Sequence, residues 1–402
     1  MQTDVIYSPF SSQELLPQEE KLEVKIRKGK LVIGIPKESI RLENRVCLTP
    51  DAVNALTANG HRILIESGAG LLASFKDDEY SEAGAEITQD TKKVFECPIV
   101  LKVEPPSLEE LELMKPNTTL ISALQLKTLK QNYFDTLVKK KITALAFELF
   151  KDEDGSYPAI SSLSEIAGTA SILIAAEIMS NVNEGSGLMM GNITGVPPAE
   201  VVILGAGVVG EYAAKSALGL GAKVKVFDSS LNKLRNIQNN LGRLLHTSTI
   251  QHKHLVKSLR RADVVIGAVR GKDRSPVIVT RDMITVMKPG SVIIDVSIDM
   301  GGCFETSEIT THENPTYTVD GVIHYCVPNI PSRYAKTSSV SISNMFSPYL
   351  LEIGEKGGLQ NALRSHKGIK NAVYSYRGLL TNKSVAEWFN MDYTDINLLF
   401  FS

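Results

Sequence analysis

Apolar residues along the chain fall in short β-rich runs separated by stretches of helical spacing. Leu31–Ile35, His61–Glu66, Ile99–Val103, Thr119–Leu124 and Ala144–Phe147 have the length and composition of strands. Thr49-Pro-Asp-Ala opens a helix between the first two, with a hydroxyl cap and proline at the first helical position. After Pro158 the pattern changes. Ser164–Asn181 is a long, Ala/Ile-rich helical run with few charges, suited to burial between domains, and Gly191–Pro198 is punctuated as a loop. The order strand, glycine turn, helix, strand then appears as Val201–Leu204, Gly205–Gly210, Glu211–Leu218 and Lys223–Phe227. Ala262–Ile266 and Ser291–Val296 read as further buried strands, and from about Lys336 the chain is helical again through Ser343–Lys356 and Leu359–Ser365. Strands alternating with helices imply largely parallel sheets in a layered α/β structure. A helix returning from the second half could pack on the first and make that domain discontinuous.

Composition narrows the classes of function. A chain of 402 residues exceeds one ordinary hydrophobic core, which favours two domains. With 43% apolar and 22% charged residues it has the balance of a soluble globular protein, and a net charge of −2 gives no electrostatic reason for a nucleic-acid or anionic-membrane partner. Cys47, Cys97, Cys303 and Cys326 are scattered without CxxC spacing, as expected of reduced thiols rather than a disulfide or metal framework. Met1–Pro17 lacks the basic start and apolar core of a secretory signal. The most apolar stretches, such as Val201–Leu204, are of strand length, so no membrane span is expected. These observations lead to the expectation of a cytoplasmic protein handling a small molecule.

The strongest local signal is Val201-Val-Ile-Leu-Gly-Ala-Gly-Val-Val-Gly. A GxGxxG pattern alone is weak, because glycines also mark ordinary turns. Here it follows a β-branched strand, opens a helix, and leads to Asp228 at the end of the next strand, which is the context of a dinucleotide site. Gly205 would permit the tight turn, Gly207 the approach of a pyrophosphate, and Gly210 close packing of helix on strand, with Ala206, Val208 and Val209 lining the turn. The anion would rest on unpaired N–H groups at the helix start. Asp228 would accept the ribose hydroxyls and repel a 2′-phosphate, and no arginine follows it, so NAD is expected rather than NADP. FAD shares the fingerprint, but no second flavin-type motif accompanies it.

The chain also resembles a known family, the alanine dehydrogenases and the nucleotide-binding α subunit of proton-translocating transhydrogenase. The carriers are Gly34-Ile-Pro-Lys-Glu, Glu43-Asn-Arg-Val-Cys-Leu-Thr-Pro, Glu66-Ser-Gly-Ala-Gly, Ser164-Glu-Ile-Ala-Gly and Gly195-Val-Pro-Pro-Ala, then Asp295-Val-Ser-Ile-Asp-Met-Gly-Gly-Cys-Phe-Glu, Thr310-Thr-His-Glu-Asn-Pro-Thr-Tyr and His324-Tyr-Cys-Val-Pro-Asn. They run in order from about Leu31 to about Leu380, and the Gly-Gly-Cys-Phe-Glu and His-Tyr-Cys-Val segments favour the dehydrogenase branch. The resemblance implies two Rossmann-like parallel-sheet domains, the first completed by C-terminal helices. Residues 1–30 would be an extension, 31–157 with 333–402 a substrate domain, and 158–332 an NAD(H)-binding domain. It further implies a hexamer that oxidises L-alanine, or another small amino acid, with NAD to the 2-oxo acid and ammonia. Arg45 falls on the family's carboxylate-binding arginine, Asp299 on its catalytic aspartate and Asn329 on an asparagine touching substrate and cofactor. Ser164, Lys233 and Val269 fall on cofactor contacts, although serine before glutamate also reads as a helix cap.

Two matches fail. Where the resemblance implies a substrate-binding lysine the chain has Glu104, in Leu101-Lys-Val-Glu-Pro-Pro, and where it implies a catalytic histidine it has Gln125, in Leu124-Gln-Leu. Ionised glutamate cannot bind a carboxylate, and glutamine can hydrogen-bond but cannot carry a proton at neutral pH. The cofactor loop Ala268-Val-Arg-Gly-Lys-Asp is also more charged than the family's apolar segment. Lysine to ionised glutamate moves the pocket two charge units toward negative, so ordinary alanine activity is expected to be low. A substrate with an added cationic or amide group should be better tolerated. Three readings stay open: an active dehydrogenase with a rearranged site, a transhydrogenase-like NAD(H) module, and a non-catalytic NAD-binding protein.

Overall fold

The computed structural model describes residues 29–40, 42–242, 245–271 and 274–400; the expected extension at 1–30 lies almost wholly outside them. Fifteen strands among the described residues make two sheets. The first contains β1 (Val32–Ile35), β2 (Arg62–Glu66), β3 (Glu86–Thr88), β4 (Ile99–Leu101), β5 (Thr119–Ser122) and β6 (Thr143–Ala146), joined by β14 (Val373–Tyr376) and β15 (Leu379–Leu380) from the chain's end. The second contains β7 (Glu200–Leu204), β8 (Lys223–Asp228), β9 (His246–Thr249), β10 (Val264–Gly267), β11 (Val292–Asp295), β12 (Thr316–Val319) and β13 (Val322–Tyr325). Their orders are β15-β14-β6-β5-β4-β1-β2-β3 and β12-β13-β11-β10-β7-β8-β9. Pairing is parallel except at one edge of each sheet, where β14, β15 and β12 run antiparallel to their neighbours. Both sheets are therefore Rossmann-like, with an antiparallel margin added.

Both faces of each sheet are covered, which is why the strands read as unbroken apolar runs. Successive residues serve opposite layers: Ile121 and Leu145 face one core and Leu120 and Ala144 the other. In the second sheet Val201, Ile203, Val292 and Ile294 pack on one side and Val202, Leu204 and Ile293 on the other. The alternation follows from the two-residue period of a strand. Thr49 caps the helix Pro50–Ala58 by accepting from the Ala52 N–H, with Pro50 at its first turn as expected.

The helical run expected from Ser164 begins earlier, as the 21-residue helix Pro158–Ile178. Ser164 thus lies inside the helix and is no cap. This helix is long and apolar enough to cross a membrane by composition, which corrects the view that every apolar stretch is of strand length. In the fold it packs against Val208–Leu220 and Ala335–Glu355, between the two sheets. The helix Ala335–Glu355 is continuous through Pro348, and its Ile342, Phe346 and Leu350 enter the core of the first sheet. The first half is discontinuous in sequence for that reason, and C-terminal strands as well as helices complete it.

In each sheet the chain reverses its direction of travel beside its first strand, between β1 and β4 and between β7 and β10. Connections leave such neighbours in opposite directions, so a crevice opens at their C-terminal ends. The segments after these four strands, with those at the ends of β5, β8, β11 and β13, build the site.

Candidate functional site

The glycine turn after β7 has the geometry its sequence suggests. Gly205 sits at φ +108°, and a Cβ there would meet the Ala268 carbonyl oxygen at 2.4 Å. A Cβ on Gly210 would lie 1.9 Å from the Gly205 carbonyl oxygen, whereas one on Gly207 would meet nothing within 4 Å. Two glycines are thus required by packing and the third faces open space. Gly207 caps the helix Val208–Leu220 without a side-chain bond. Asp228 at the end of β8 is buried, and its carboxylate accepts from the N–H groups of Ala206 and Ser230, both at 2.8 Å. It anchors the turn as well as closing one end of it. Lys233 is exposed in the first turn of the helix Leu231–Leu241.

A cleft of about 320 Å³ lies beside this turn, bordered by Arg45, Ser164, Val209, Val269, Asp299 and Asn329 among others. Residues predicted from distant parts of the sequence therefore share one wall-to-wall space. Of the cofactor loop, Val269 and Arg270 border the cleft, while Lys272 and Asp273 lie outside the described residues.

Across the cleft, a chain of polar contacts links the two halves. Asn329 donates its N–H to Asp299 at 3.1 Å and its side-chain amide to Glu43 at 3.0 Å. Glu43 takes the Arg45 guanidinium in a bidentate pair at 2.7 and 2.6 Å, and Arg45 reaches Glu104 at 3.4 Å. Glu104 in turn accepts from the side-chain amide of exposed Gln125. The irregular Glu43-Asn-Arg segment is fixed from outside: the returning helix offers Ser339 and Ser343 hydroxyls to the Val46 and Thr49 N–H groups. Leu42, Gln125 and Asn329 all adopt left-handed backbone, at φ 69°, 41° and 54°. Side chains held in so unfavourable a conformation need support, which comes from Ser332 to Leu42, from Glu148 to the Leu124 N–H, and from Asp299 to the Asn329 N–H.

Burial governs the electrostatics. Glu104 is pushed up to about 8, first by burial and then by neighbouring Glu43. Glu38, which accepts from the Val103 N–H after β4, is pushed by burial to about 7 despite nearby Lys102. Burial opposes ionisation of Glu43 too, but the Arg45 contacts outweigh it and hold the carboxyl below its usual range. Asp299 is open to the cleft yet surrounded on its other sides; the desolvation raises it and the Asn329 N–H opposes the rise. One expectation changes as a result. Burial and the neighbouring Glu43 both favour the protonated form of Glu104, which draws the wall's difference from a lysine-bearing one from two charge units toward one.

Four residues here drew no role from sequence. Glu38 and Glu43 stood inside quoted motifs, but only folding reveals that they ligate Val103 and Arg45. Glu148 carried no local signal. Asp295 likewise shapes the turn bearing Asp299, accepting from Ser297, Cys303 and Ser307.

Two parallel-sheet halves, with a glycine turn on one facing an arginine–carboxylate wall on the other, define a class of two-domain α/β oxidoreductases. The chain belongs to the alanine dehydrogenase/PNT family, whose N-terminal domain description matches residues 34–167 and whose C-terminal one matches 171–383. It is 39% identical over 366 residues to alanine dehydrogenase 2 of Staphylococcus aureus, across 90% of this chain and 98% of that protein. A solved L-alanine dehydrogenase superposes with a TM-score of 0.85 at 34% identity, covering 90% of this chain and 99% of the other. A transhydrogenase from Sinorhizobium meliloti superposes with a TM-score of 0.75 at 25% identity, covering 88% and 99%.

Proposed function

We propose that the chain is an NAD(H)-dependent oxidoreductase acting on a small amino acid or its 2-oxo acid, with substrate contacts that have departed from those for alanine. The observation that carries this reading is the meeting, across one cleft, of the glycine turn and the Arg45–Glu43–Asn329–Asp299 chain. The reading takes 158–332 as the cofactor half and 31–157 with 333–402 as the substrate half.

The residues present fit a dinucleotide. Open space over Gly207 and an uncapped helix start suit a pyrophosphate, and the Asp228 carboxylate has lone pairs left for ribose hydroxyls. Ser164, Val209 and Val269 border the cleft where a nicotinamide would lie, and Lys233 stands near the adenosine end. Bound there, the dinucleotide would exchange a hydride with the substrate's 2-carbon. Asp299 is the group beside that position able to hold a proton or orient water. Arg45 would take the substrate carboxylate end-on, because Nε and one terminal nitrogen are already committed to Glu43. Gln125 positions and does not move a proton. The reading includes a cytoplasmic homo-oligomer, a hexamer by resemblance, which sedimentation would check.

Calorimetric titration with NAD, followed by turnover assays with alanine and with pyruvate, ammonia and NADH, tests this reading. NAD binding with little alanine turnover is expected, since losing an acid–base group typically costs roughly two to four orders of magnitude in rate. Wild-type turnover of alanine at about ten per second, a median enzyme rate, would refute the altered-site argument. Glu104→Lys with Gln125→His should raise alanine turnover. A second reading, a non-catalytic NAD-binding protein, is favoured by the contact in which the two altered side chains engage each other, and wild-type NAD binding without turnover of any amino acid would support it.

A further inference from the structure

Behind the cleft wall, four carboxyls meet two cations. Lys102 is fully buried and is claimed by Glu110 at 3.0 Å and Glu38 at 3.5 Å. Arg45 is claimed by Glu43 through two short contacts and reaches Glu104 only at 3.4 Å. Glu104 is left as the carboxyl whose nearest strong donor is neutral, the side-chain amide of Gln125. The two acids least well served by cations, Glu38 and Glu104, are also the two pushed highest. A buried carboxyl short of a cation keeps its proton.

Gln125 differs from the other members of this group. It is exposed, sits on a left-handed turn held by Glu148 through Leu124, and covers Glu104 from the solvent side. Gln125 covers one Glu104 oxygen, which is bared when the amide swings away, while the other Glu104 oxygen lies 3.4 Å from the Arg45 terminal nitrogen that also serves Glu43. The groups facing Glu104 are Glu43, Arg45, Glu38 and Gln125. Lys127, on the same turn as Gln125, has its ammonium against Met300 Sδ at 3.5 Å.

We propose that Glu104 is the specificity-determining residue of this site, and that the Gln125 amide holds the place of a cationic group on the substrate. This rests on the amino-acid oxidoreductase reading and narrows it to a 2-amino acid or 2-oxo acid bearing a second ammonium or guanidinium. On binding, the ligand's cation donates to Glu104 in place of Gln125. Glu104 releases its proton to solvent and becomes a carboxylate, so the ligand's charge is matched and one proton leaves per ligand bound.

The experiment is calorimetry on the full chain at pH 7, with and without saturating NAD, in two buffers of different ionisation enthalpy. The probes are L-alanine, L-2,4-diaminobutyrate, L-ornithine and L-lysine. At least one diamino acid should bind roughly tenfold or more tightly than alanine, as a charge-assisted contact warrants, with release of about one proton. Glu104→Gln, nearly isosteric with the protonated acid, should abolish the preference and the proton release while leaving NAD affinity unchanged. Alanine binding as tightly as every diamino acid, a preferred diamino acid binding without proton release, or Glu104→Gln keeping the preference would each overturn the proposal. Failure of all four probes in the presence of bound NAD would also overturn it, while leaving the cofactor reading intact. Failure of NAD itself to bind strikes the functional reading, and the titrations without NAD then judge Glu104 independently.

Discussion

Substituting Glu43 tests whether Glu104 is an uncharged reserve for Arg45. Glu43 accepts three bonds from Arg45 (from its N–H at 3.0 Å, Nε at 2.7 Å and one terminal nitrogen at 2.6 Å) and one from Asn329 at 3.0 Å. Removing one partner of a buried ion pair usually costs about 3–5 kcal/mol, because the remaining charge is stranded. In Glu43→Gln the cost should be smaller, about 2 kcal/mol, since Glu104 loses the Glu43 charge that helps raise it and ionises as the new counterion. Glu104→Gln alone should cost less than about 1 kcal/mol, because it replaces a protonated acid by a neutral amide. The double variant leaves Arg45 without a nearby carboxylate and should lose about 2 kcal/mol more than the sum of the singles. Urea denaturation at pH 7 can be followed by Trp388, the chain's single tryptophan, whose helix Lys383–Phe389 packs on β15 of the same sheet. Additive losses within about 0.5 kcal/mol would show that the two acids do not share Arg45, and the charge assignment would fall.

Three further outcomes follow from the same geometry. Gly207→Ala should fold normally but weaken NAD binding at least roughly tenfold, because its Cβ enters space meant for a pyrophosphate, whereas Gly210→Ala should cost stability by about 1–3 kcal/mol through overpacking; calorimetry and melting separate the two, and unchanged NAD affinity in Gly207→Ala would remove the turn from the cofactor site. NAD should bind roughly tenfold or more tightly than NADP, and Asp228→Ala should narrow that gap while also loosening the turn, since Ala206 and Ser230 lose their acceptor. Glu38 and Glu104 hold protons in the folded state that the unfolded chain has released above about pH 5, so they make stability fall as pH rises toward about 7 and 8 respectively and then level; Glu104→Gln should flatten the upper part of that fall in denaturation curves.

Legibility in sequence tracked how local the physics is. β7, its glycine turn and Asp228 form one continuous βαβ unit, so the cofactor candidate could be read before folding. Leu359–Ser365 and the Thr49–Pro50 helix start were likewise set by local signals. Of the strands that escaped notice, β3, β9, β12 and β15 are short edge elements whose residues are largely polar or only half buried, so they carry no apolar run of strand length, and β13 is fully buried but only four residues long. β14 is fully buried but only four residues long, and it pairs with β6 from more than two hundred residues away.

By itself the sequence determined the class of fold, the glycine turn and the substitution of Glu104 and Gln125 at two positions of a recognisable pattern. Covalent order and side-chain chemistry are enough for these. Only the tertiary structure decided what state those residues are in. It brought Glu43 and Glu104 to the same guanidinium, turned the Gln125 amide onto Glu104, and surrounded both with enough protein that burial outweighs the intrinsic acidity of Glu104. A carboxyl's charge depends on its neighbours and on the water it has lost, and both are properties of the folded chain alone.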